Sequence, residues 1–591
     1  MRLLVEGDTT FALGMNDRAA PDEFQPGEVK LIENGRLSLV GNSVRRRMGA
    51  KHVVTSTPWN TSIGIDADRI KGGKFYEFTS SSRYHVVIAL AAGGETVYTS
   101  ADYGATWTSR GTVSISAGIA PSMVVMTEGG NQVLCIATGG ADAYQLNNTT
   151  LTTISGIPAS TRFLAVHGNR LIAAGSGITV SASKVSDIDA GYGAPEGWTV
   201  QAQTHDDDYE ITGLHTLGSI IMVFKRRSVG FIEGFGFTTL QVEVGSRGLT
   251  RSLGCVSSAS IQAIGDDGVM WLSDQGWVFY RIGDRPVLVS GSQQALVNGI
   301  QFDIIRTFPN VVSSLYYPAE QEYWCAVPTA VRYQGARLGS GGGSGGTHIF
   351  VWRPPTPSRP PASYRFLLST GDDHYTASID SGGYLALTAA PGGQQGTTFG
   401  TYKDYLGLAS SEEVGLDFVI SDNCLALAVD LNAPAAMWTG ATATREQAPF
   451  IGTVAGAVLE AEHPTTDVDD QTQDTFGSLT TTRQDGAGEI HMTLHARPYL
   501  FENQLSRKKA KRVRVQSSQA ADSSVTATMI VDGVPGAPHT LSFSGAAHGR
   551  PEQRDARVGG RGLEIETVLQ STDDVDIHAV AVLAQPLEDE A

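Results

Sequence analysis

Residues that could support catalysis are scattered along this chain of 591 residues, and the strings that match catalytic motifs lie in an unsuitable context. Residues 342–346 match G-x-S-x-G and residues 341–346 match G-x-G-x-x-G, but both lie in a glycine-serine run without the strand, turn and helix that such motifs need. The sequence has neither H-E-x-x-H nor G-x-x-x-x-G-K-[ST]. Glycoside hydrolysis requires two carboxylates at a defined separation, and the sequence does not show which of its 61 acidic residues would form such a pair. We therefore expect a protein that is not an enzyme and has no catalytic residue.

Metal, cofactor and disulfide chemistry are not predicted either. The four cysteines, Cys135, Cys255, Cys325 and Cys424, lie far apart and form no C-x-x-C pair, so we interpret them as ordinary buried thiols. Acidic clusters at 205–208 and 467–470 contain oxygen ligands suited to calcium but lack the spacing of an EF-hand loop. We interpret both clusters as solvated turns, and we expect no bound metal and no cofactor.

Two basic clusters stand out from an acidic background. Lysine and arginine total 43 against 61 acidic residues, which gives a net charge of −18. A net negative charge of this size is not typical of a protein that binds duplex DNA. The clusters consist of Arg45, Arg46, Arg47, Arg507, Lys508, Lys509, Lys511 and Arg512. Basic clusters contact phosphate or an acidic neighbour. We favour contacts between subunits, with contact to DNA in transit as the alternative.

Short apolar runs separated by glycine or Asx-rich turns predict an all-β fold. Glycine is common, at 68 residues, and helical periodicity is nearly absent. The runs fall into six sets, at about 73–110, 121–158, 161–204, 209–245, 255–287 and 310–353. A period of ~40–50 residues for a set of four strands is typical of a β-propeller. The number of blades stays open.

The domain prediction follows these sets and the breaks between them. We expect residues 1–60 to be an arm leading into the propeller, 61–334 to form its blades, and 335–447 to be an inserted loop and β region, with a distal tip as one interpretation. Residues 448–591 are expected to close or flank the propeller. Within them, residues 510–515 alternate basic and apolar side chains, which predicts a half-buried strand of a sandwich or of a closing blade. The N-terminus has no apolar signal segment and no run of ~18 apolar residues occurs, so we expect synthesis in the cytoplasm without membrane insertion.

The string from Ser100 to Trp107 resembles the Asp-box hairpin of sialidases and other propellers. The resemblance implies that Asp102 caps the turn, that Gly104 adopts a positive φ and that Trp107 packs into the blade. Residues 273–277 are a weaker echo of the same turn. The motif is specific for the hairpin and not for catalysis, so Ser100, Asp102, Gly104 and Trp107 are expected to have a structural role.

A second resemblance rests on several strings in order. Residues 11–16, 26–34 and 41–49 resemble the opening of the tail nozzle family of short-tailed bacteriophages, also called tail tubular protein B, tail hub or head-stabilisation protein. This opening has a central asparagine and then a segment of the type Gly-x-x-x-x-Arg-x-Gly. Residues 163–175, 195–198 and 211–228 look like successive blades of the same family. The likeness runs loosely over about 1–330 and 505–585.

The resemblance implies a structural virion protein of the phage tail. In the family, six copies form a β-propeller ring below the portal and its adaptor protein, and genomic double-stranded DNA leaves through the tube without being bound in a sequence-specific way. Tail fibres or spikes are further partners, and an acidic channel wall would let DNA slide. Two alternatives are a propeller that binds or hydrolyses carbohydrate, suggested by the Asp box, and a tail-tip or fibre-attachment protein of another phage type.

Overall fold

The structure is a computed structural model of the whole chain. It describes residues 4–586 except 9–10, 17–18, 21–22, 38–42, 49, 54–68, 92–93, 176, 194–195, 203–209, 234–240, 244–251, 267, 292, 301, 329–347, 356–360, 368–374, 380–384, 390–433, 454–457, 463–467, 470–487, 490–491, 500–507, 519–521, 545–551 and 572–575.

Five antiparallel four-stranded sheets follow one another along the first half of the chain, and we number them as blades. Blade 1 consists of Arg69–Thr79, Ser82–Ala91, Gly94–Ser100 and Thr108–Thr112. Blade 2 consists of Ser122–Glu128, Asn131–Ala137, Ala143–Asn147 and Thr150–Thr153, and blade 3 of Phe163–His167, Arg170–Ala174, Thr179–Ala182 and Trp198–Gln201. Blade 4 consists of Ile211–Leu217, Ile220–Lys225, Val229–Glu233 and Gln241–Glu243, and blade 5 of Gln262–Ile264, Gly268–Ser273, Gly276–Arg281 and Val287–Leu288.

Two further sheets complete a ring of seven blades among the described residues. Blade 6 consists of Ser313–Tyr317, Glu322–Val327, His348–Arg353 and Ala362–Leu367. Blade 7 consists of Pro434–Gly440, Ala448–Thr453, Val458–Glu460 and, as its outermost strand, the N-terminal segment Lys51–His52. Because this last strand comes from before blade 1, the closing sheet joins two distant parts of the chain.

Apolar clusters between successive blades hold the ring together. The second strand of blade 4 is buried along its whole length, from Ile220 to Lys225, because each blade packs against a neighbour on both faces. Between blades 7 and 1, the cluster contains Ile70, Val87, Trp438 and Phe450. The apolar contact therefore continues across the point where the ring closes.

A β-sandwich lies beside blade 6. Blade 6 continues through a parallel pairing of Arg365 with Glu33 into Leu31–Glu33, Met492–His495, Ile565–Ser571, Ser523–Val531 and Val534–Phe543, which we call the continuing sheet. The second layer, which we call the facing sheet, contains Glu552–Gly562, Lys508–Ser518, Asp576–Pro586, Val44–Arg46 and Gly35–Leu37 in that order, with Leu4–Asp8 paired to Asp576–Pro586. Side chains from both sheets share one apolar core that also reaches blades 6 and 7.

The remaining described elements are short. Two α-helices, Gln294–Gly299 and Phe302–Thr307, connect blades 5 and 6, and 3-10 turns lie at Ser258–Ser260 and Pro309–Val311. Gly14–Met15 pairs in parallel with Glu28–Val29. Tyr375–Ile379 pairs antiparallel with Leu385–Ala389, and Val468–Asp469 pairs antiparallel with Gly488–Glu489.

The all-β propeller predicted from the sequence is confirmed, and the six predicted sets correspond to blades 1 to 6. The structure corrects the expected domain boundaries in two places. Strands Leu4–Asp8, Leu31–Glu33 and Val44–Arg46 belong to the sandwich and do not form an arm, because each of them pairs with a strand from the C-terminal region. Within 335–447, strands His348–Arg353 and Ala362–Leu367 complete blade 6, and Pro434–Gly440 begins blade 7. The region 448–591 supplies both the closing blade and the sandwich.

Candidate functional site

The first strands of the blades surround a central channel. All seven blades contribute to the wall of a cavity of about 530 Å³, which is within the range of small-molecule sites. Most of its wall is apolar side chain, backbone or hydroxyl. The titratable groups of the described wall other than Tyr316 are Lys71, Lys74 and His215, and no carboxylate is among the described lining residues.

The two channel lysines have different environments, although both lie on the first strand of blade 1. Nζ of Lys71 is 2.8 Å from Oε1 of Glu95, so this ammonium has its counter-charge within the blade. Nζ of Lys74 has no hydrogen-bond or ion-pair partner among the residues that the structure describes, and burial lowers the pKa of this group. One cation of the wall is therefore uncompensated.

His215 lies in the channel wall on the first strand of blade 4. Burial, together with the charge of Lys74, lowers its pKa to about 4, so the imidazole is neutral near pH 7. Its Nε2 is buried and has no hydrogen-bond partner within the described part of the chain. An ammonium and an unpaired ring nitrogen thus line the same cavity. No pattern in the sequence identified either residue, because nothing in a single sequence brings strands of blades 1 and 4 to one channel.

Ser100, Asp102, Gly104 and Trp107 form a closed turn at the end of the third strand of blade 1. Oδ1 of Asp102 accepts hydrogen bonds from the backbone N–H of Thr106 at 2.8 Å and from the Ser100 hydroxyl at 2.7 Å. Gly104 has a φ of +98°, and its N–H donates to the Ser100 hydroxyl at 2.7 Å. Trp107 packs in the cluster between blades 7 and 1. The carboxylate of Asp102 is fully engaged within its own turn, which is a structural arrangement.

The N-terminal basic cluster lies at the joint between the sandwich and the propeller. Arg45 is partly exposed, whereas Arg46 and Arg47 are 4% and 3% exposed. Nε of Arg47 donates to Oδ1 of Asn34 at 3.1 Å, and its Nη1 donates to the carbonyl of Met48 at 3.1 Å. Burial removes Arg46 and Arg47 from contact with a partner, so the structure corrects the prediction of subunit or DNA contact for these two residues.

A buried ionic network surrounds that joint. Arg36, on the facing sheet, donates to Glu322 of blade 6 and to Glu462, which follows blade 7, with both distances at 3.0 Å. Glu322 also accepts hydrogen bonds from Nε1 of Trp324, at 3.0 Å, and from the hydroxyl of Tyr364. The sequence contained no sign of this network, since its members lie far apart in the chain.

The C-terminal basic cluster lies on the facing sheet. Ala510, Val513 and Val515 point into the sandwich core, while Lys509 and Lys511 are partly exposed and Arg512 is exposed. Arg512 is paired in register with Arg557, and Lys509 with Arg561. A single carboxylate, Asp555, contacts the side chains of both Arg512 and Arg514. The sheet therefore presents a basic surface, which we define by Lys509, Arg512, Arg514, Arg557 and Arg561.

A smaller cavity of about 170 Å³ adjoins the channel. Three arginines, Arg162, Arg226 and Arg306, line it together with Glu210. Arg162 is 3.5 Å from Glu210, and Arg306 is 2.8 Å from Asp303, so two of these guanidinium groups already have carboxylate partners.

Several predicted residues lie outside the described part of the chain. These are Arg507, Cys424, the glycine-serine run with its motif matches, and the acidic cluster at 205–208. Lys508 lies in a described strand. Cys135, Cys255 and Cys325 are buried free thiols, as predicted. In the described ranges no group of three or more histidine, cysteine or acidic side chains is arranged to hold a metal ion, and no helix there is long and apolar enough to span a membrane.

Comparisons with known proteins add little beyond the architecture. No protein-family model matches the sequence, and no curated protein is similar to it. Among solved structures, BamB from Moraxella catarrhalis is 10% identical with a TM-score of 0.29, over 71% of this chain and 98% of that one. The N-terminal domain of Nup159 is 7% identical with a TM-score of 0.27, over 73% and 99%. An exo-β-1,3-galactanase from Phanerochaete chrysosporium is 11% identical with a TM-score of 0.24, over 91% and 100%. At these scores the similarities carry no argument about function.

Proposed function

We propose that this chain is a structural virion protein, the subunit of a hexameric tail nozzle of a short-tailed bacteriophage. In this proposal the ring sits below the portal and its adaptor in the virion tail, and it forms a channel for genome retention and ejection. The proposal includes tail fibres or spikes as neighbours and genomic DNA as a passing, non-specifically contacted partner. It assigns no reaction to the protein.

The observation that carries the proposal is the contact between Asn34 and Arg47. Asn34 lies in the string 26–34 and Arg47 in the string 41–49, which are two of the strings on which the family resemblance rests. The Arg47 side chain donates to Oδ1 of Asn34, and the Arg47 backbone N–H donates to the Asn34 carbonyl at 3.0 Å. Asn34 has a φ of +53°, which asparagine tolerates better than most residues do. The two motif residues thus form one physical unit at the joint.

A second supporting feature is the continuity between the propeller and the sandwich. Blade 6 and the continuing sheet form one nine-stranded sheet, and Arg36 connects both layers through buried ion pairs. Burial of these charges without their partners would be strongly unfavourable, which resists separation of the two parts. A subunit built in this way suits a ring that must stay closed under pressure from packaged DNA.

The family-like blade strings occupy equivalent places. Residues 163–175 cover the first hairpin of blade 3, and residues 211–228 cover the first hairpin of blade 4 and the turn after it. Repeated strings at the same place in successive blades are what a divergent propeller repeat produces.

In this proposal genomic DNA passes between copies and not through the propeller channel of one subunit. A cavity of about 530 Å³ is the size of a small-molecule site and not of a duplex channel. Its described wall also contains no carboxylate, and the proposal therefore assigns the acidic wall expected from the net charge to the surface that copies share. The basic surface of the facing sheet is suited to contact an acidic neighbouring copy, because each copy carries a charge of −18.

The test is the assembly state of the full-length protein. We expect mass photometry and negative-stain electron microscopy to show six-fold rings with a mass of about six times 62.6 kDa, formed alone or on addition of the adaptor ring. A protein that stays monomeric in both conditions contradicts the proposal. Labelling the protein in intact particles then distinguishes a nozzle from a tail-tip or fibre-attachment protein by its position.

A carbohydrate-binding propeller is the second candidate, favoured by the Asp-box turn and by the size of the channel. Hydrolysis by two carboxylates has no support in the described wall of the channel, which contains none. Incubation with sialosides and titration with neutral oligosaccharides test this candidate, since a nozzle is expected neither to hydrolyse the former nor to bind the latter.

A further inference from the structure

The propeller channel contains a polar pair that no structural role of the ring explains. Lys74 and His215 lie on the first strands of blades 1 and 4 and line the same cavity, and the charge of Lys74 acts on the imidazole of His215.

The charge of Lys74 lacks compensation on the protein side. Lys71, three residues earlier on the same strand, is neutralised by Glu95 at 2.8 Å, and the described lining residues include no carboxylate that could do the same for Lys74. An ammonium partly removed from water and left without a counter-ion is destabilising. No described residue of the wall therefore supplies a negative charge to balance the ammonium of Lys74.

The wall also lacks a hydrogen-bond partner at His215. Its Nε2 is buried with no partner in the described structure, although buried polar atoms are rarely left unpaired without a reason. Two hydroxyls of the wall are satisfied within the protein: that of Thr439 donates to the carbonyl of Tyr316, and that of Ser314 donates to the carbonyl of Ala259. Oγ1 of Thr216, in the same wall, is buried without a partner in the described structure, so the unmet polar requirements of the described wall include Lys74, His215 and Thr216.

We propose that the propeller channel binds a small organic anion, whose carboxylate or phosphate group is held between Lys74 and His215. The ammonium supplies the counter-charge, and the neutral imidazole donates from Nε2 to an oxygen of the anion. Apolar residues of the wall, including Met123, Phe163, Leu214 and Met437, enclose the body of the ligand. This site goes beyond the proposed nozzle function and does not depend on it.

Isothermal titration of the full-length protein near pH 7 tests the site, using inorganic phosphate and succinate as probes and succinamide as the neutral counterpart of succinate. We expect saturable binding, at one site per chain, of phosphate or succinate, and at least about tenfold weaker binding of succinamide, because charge-assisted hydrogen bonds are the strong ones. Absence of saturable binding by both anions, or equal affinity for succinate and succinamide, overturns the proposal.

The matched variants are Lys74→Met and Lys71→Met, which remove an ammonium from two places on one strand. We expect Lys74→Met to weaken binding of the anion by about tenfold or more, and Lys71→Met to leave it within about threefold, since Lys71 already has a protein partner. Equal effects of the two variants would show a diffuse attraction to positive charge and would reject the assigned site.

A second measurement on the unmodified protein keeps the test valid if Lys74→Met does not fold. Acetylation by a dilute reagent, followed by peptide mass spectrometry, reports the accessibility of each lysine. A saturating anion is expected to protect Lys74 and to leave the acetylation of the exposed lysines unchanged. Unchanged acetylation of Lys74 in the presence of a bound anion contradicts the assignment.

Discussion

Arg36 and Glu322 form a buried ion pair across 286 positions of the chain, with 3.0 Å between Nη2 and Oε2. The two side chains are 3% and 0% exposed. The same guanidinium reaches Glu462 through Nη1 at 3.0 Å, and the rings of Tyr317, Trp324 and Phe366 lie about 5.9, 5.9 and 5.8 Å from its central carbon. Burial raises the pKa of Glu462, and Arg36 opposes that shift. One cation therefore holds blade 6, blade 7 and the facing sheet together.

The Arg36→Met variant is expected to destabilise the protein strongly. It leaves the buried carboxylates of Glu322 and Glu462 without their shared cation, and breaking a buried pair in this way costs about 3–5 kcal/mol. Chemical denaturation monitored by tryptophan fluorescence measures the loss, because Trp324 lies within the network.

Arg83→Met is the matched control for Arg36→Met. Arg83 and Glu77 form an ion pair at 2.8 Å whose side chains are 41% and 42% exposed. Its loss should cost at most about 1 kcal/mol, because water screens exposed charges. Similar losses for the two variants would mean that the Arg36 network does not hold the joint.

The blades could be predicted from the sequence because their determinants are local. Runs such as residues 220–224 are apolar throughout, and turns such as Gly129-Gly130 separate them at a regular spacing. Each of blades 1 to 6 consists of consecutive strands of the chain. The order of apolar runs and turns in the sequence therefore predicts these blades.

Blade 7 and the sandwich could not be predicted in the same way because they join remote segments. Lys51–His52 pairs with Val458–Glu460, and Leu31–Glu33 pairs with Met492–His495. These strands are two to four residues long, and nothing in such short strings identifies a partner more than 400 positions away. For the same reason the sequence did not identify Arg36, whose structural role depends on residues far away in the chain. It also did not identify Lys74 and His215, which line one cavity only in the folded ring.

The Asp-box turn provides a second prediction, because Gly104 needs both its backbone conformation and its space. A Cβ at this position would lie 2.9 Å from Cγ2 of Val53, at a φ of +98°. We expect Gly104→Ala to lower the free energy of unfolding by about 1–2 kcal/mol for the backbone alone, with a further loss from the contact with Val53.

Gly94→Ala separates the two contributions at Gly104. Gly94 has a φ of +105°, and no atom lies within 4 Å of a Cβ built on it. This variant should therefore lose the backbone term only. If both variants unfold at the same denaturant concentration, the contact with Val53 has no energetic weight and the turn does not depend on it.

Acid sensitivity is a third prediction, and it rests on His85 between blades 1 and 7. Nε2 of His85 is 2.7 Å from the carbonyl of Ala441 and donates to it, while Nδ1 accepts from Nε1 of Trp438 at 3.3 Å. Burial lowers the pKa of His85 to about 4, against about 6.5 in the unfolded chain. Between these two values the unfolded state binds the additional proton, so this residue's contribution to stability is lost as the pH falls from 6.5 towards 4.

The expected loss from His85 between pH 7 and pH 4.5 is about 2 kcal/mol. His85→Gln removes this titration while keeping a side chain that can hydrogen-bond. We expect the variant to be less stable than the wild type at pH 7 and to lose less stability on acidification, as measured by urea denaturation at the two pH values. Parallel losses in both proteins would show that His85 is not a source of the acid sensitivity.

The basic surface of the facing sheet provides the last prediction, which concerns assembly. Arg512 and Arg557 are paired in register on neighbouring strands, and both are exposed. Like charges placed opposite each other across a sheet are unfavourable, so an acidic neighbour would relieve a cost that the isolated subunit bears. Within the proposed ring, we expect Arg512→Glu with Arg557→Glu to weaken subunit association by about tenfold or more. Mass photometry over a dilution series measures association, and denaturation midpoints measured in parallel report the stability of the subunit.

Arg83→Glu, an exposed charge reversal on blade 1, should leave association unchanged, and rising salt should weaken association of the wild type more than that of the double variant. Rings that form equally well from the double variant would assign this surface a role other than contact between subunits.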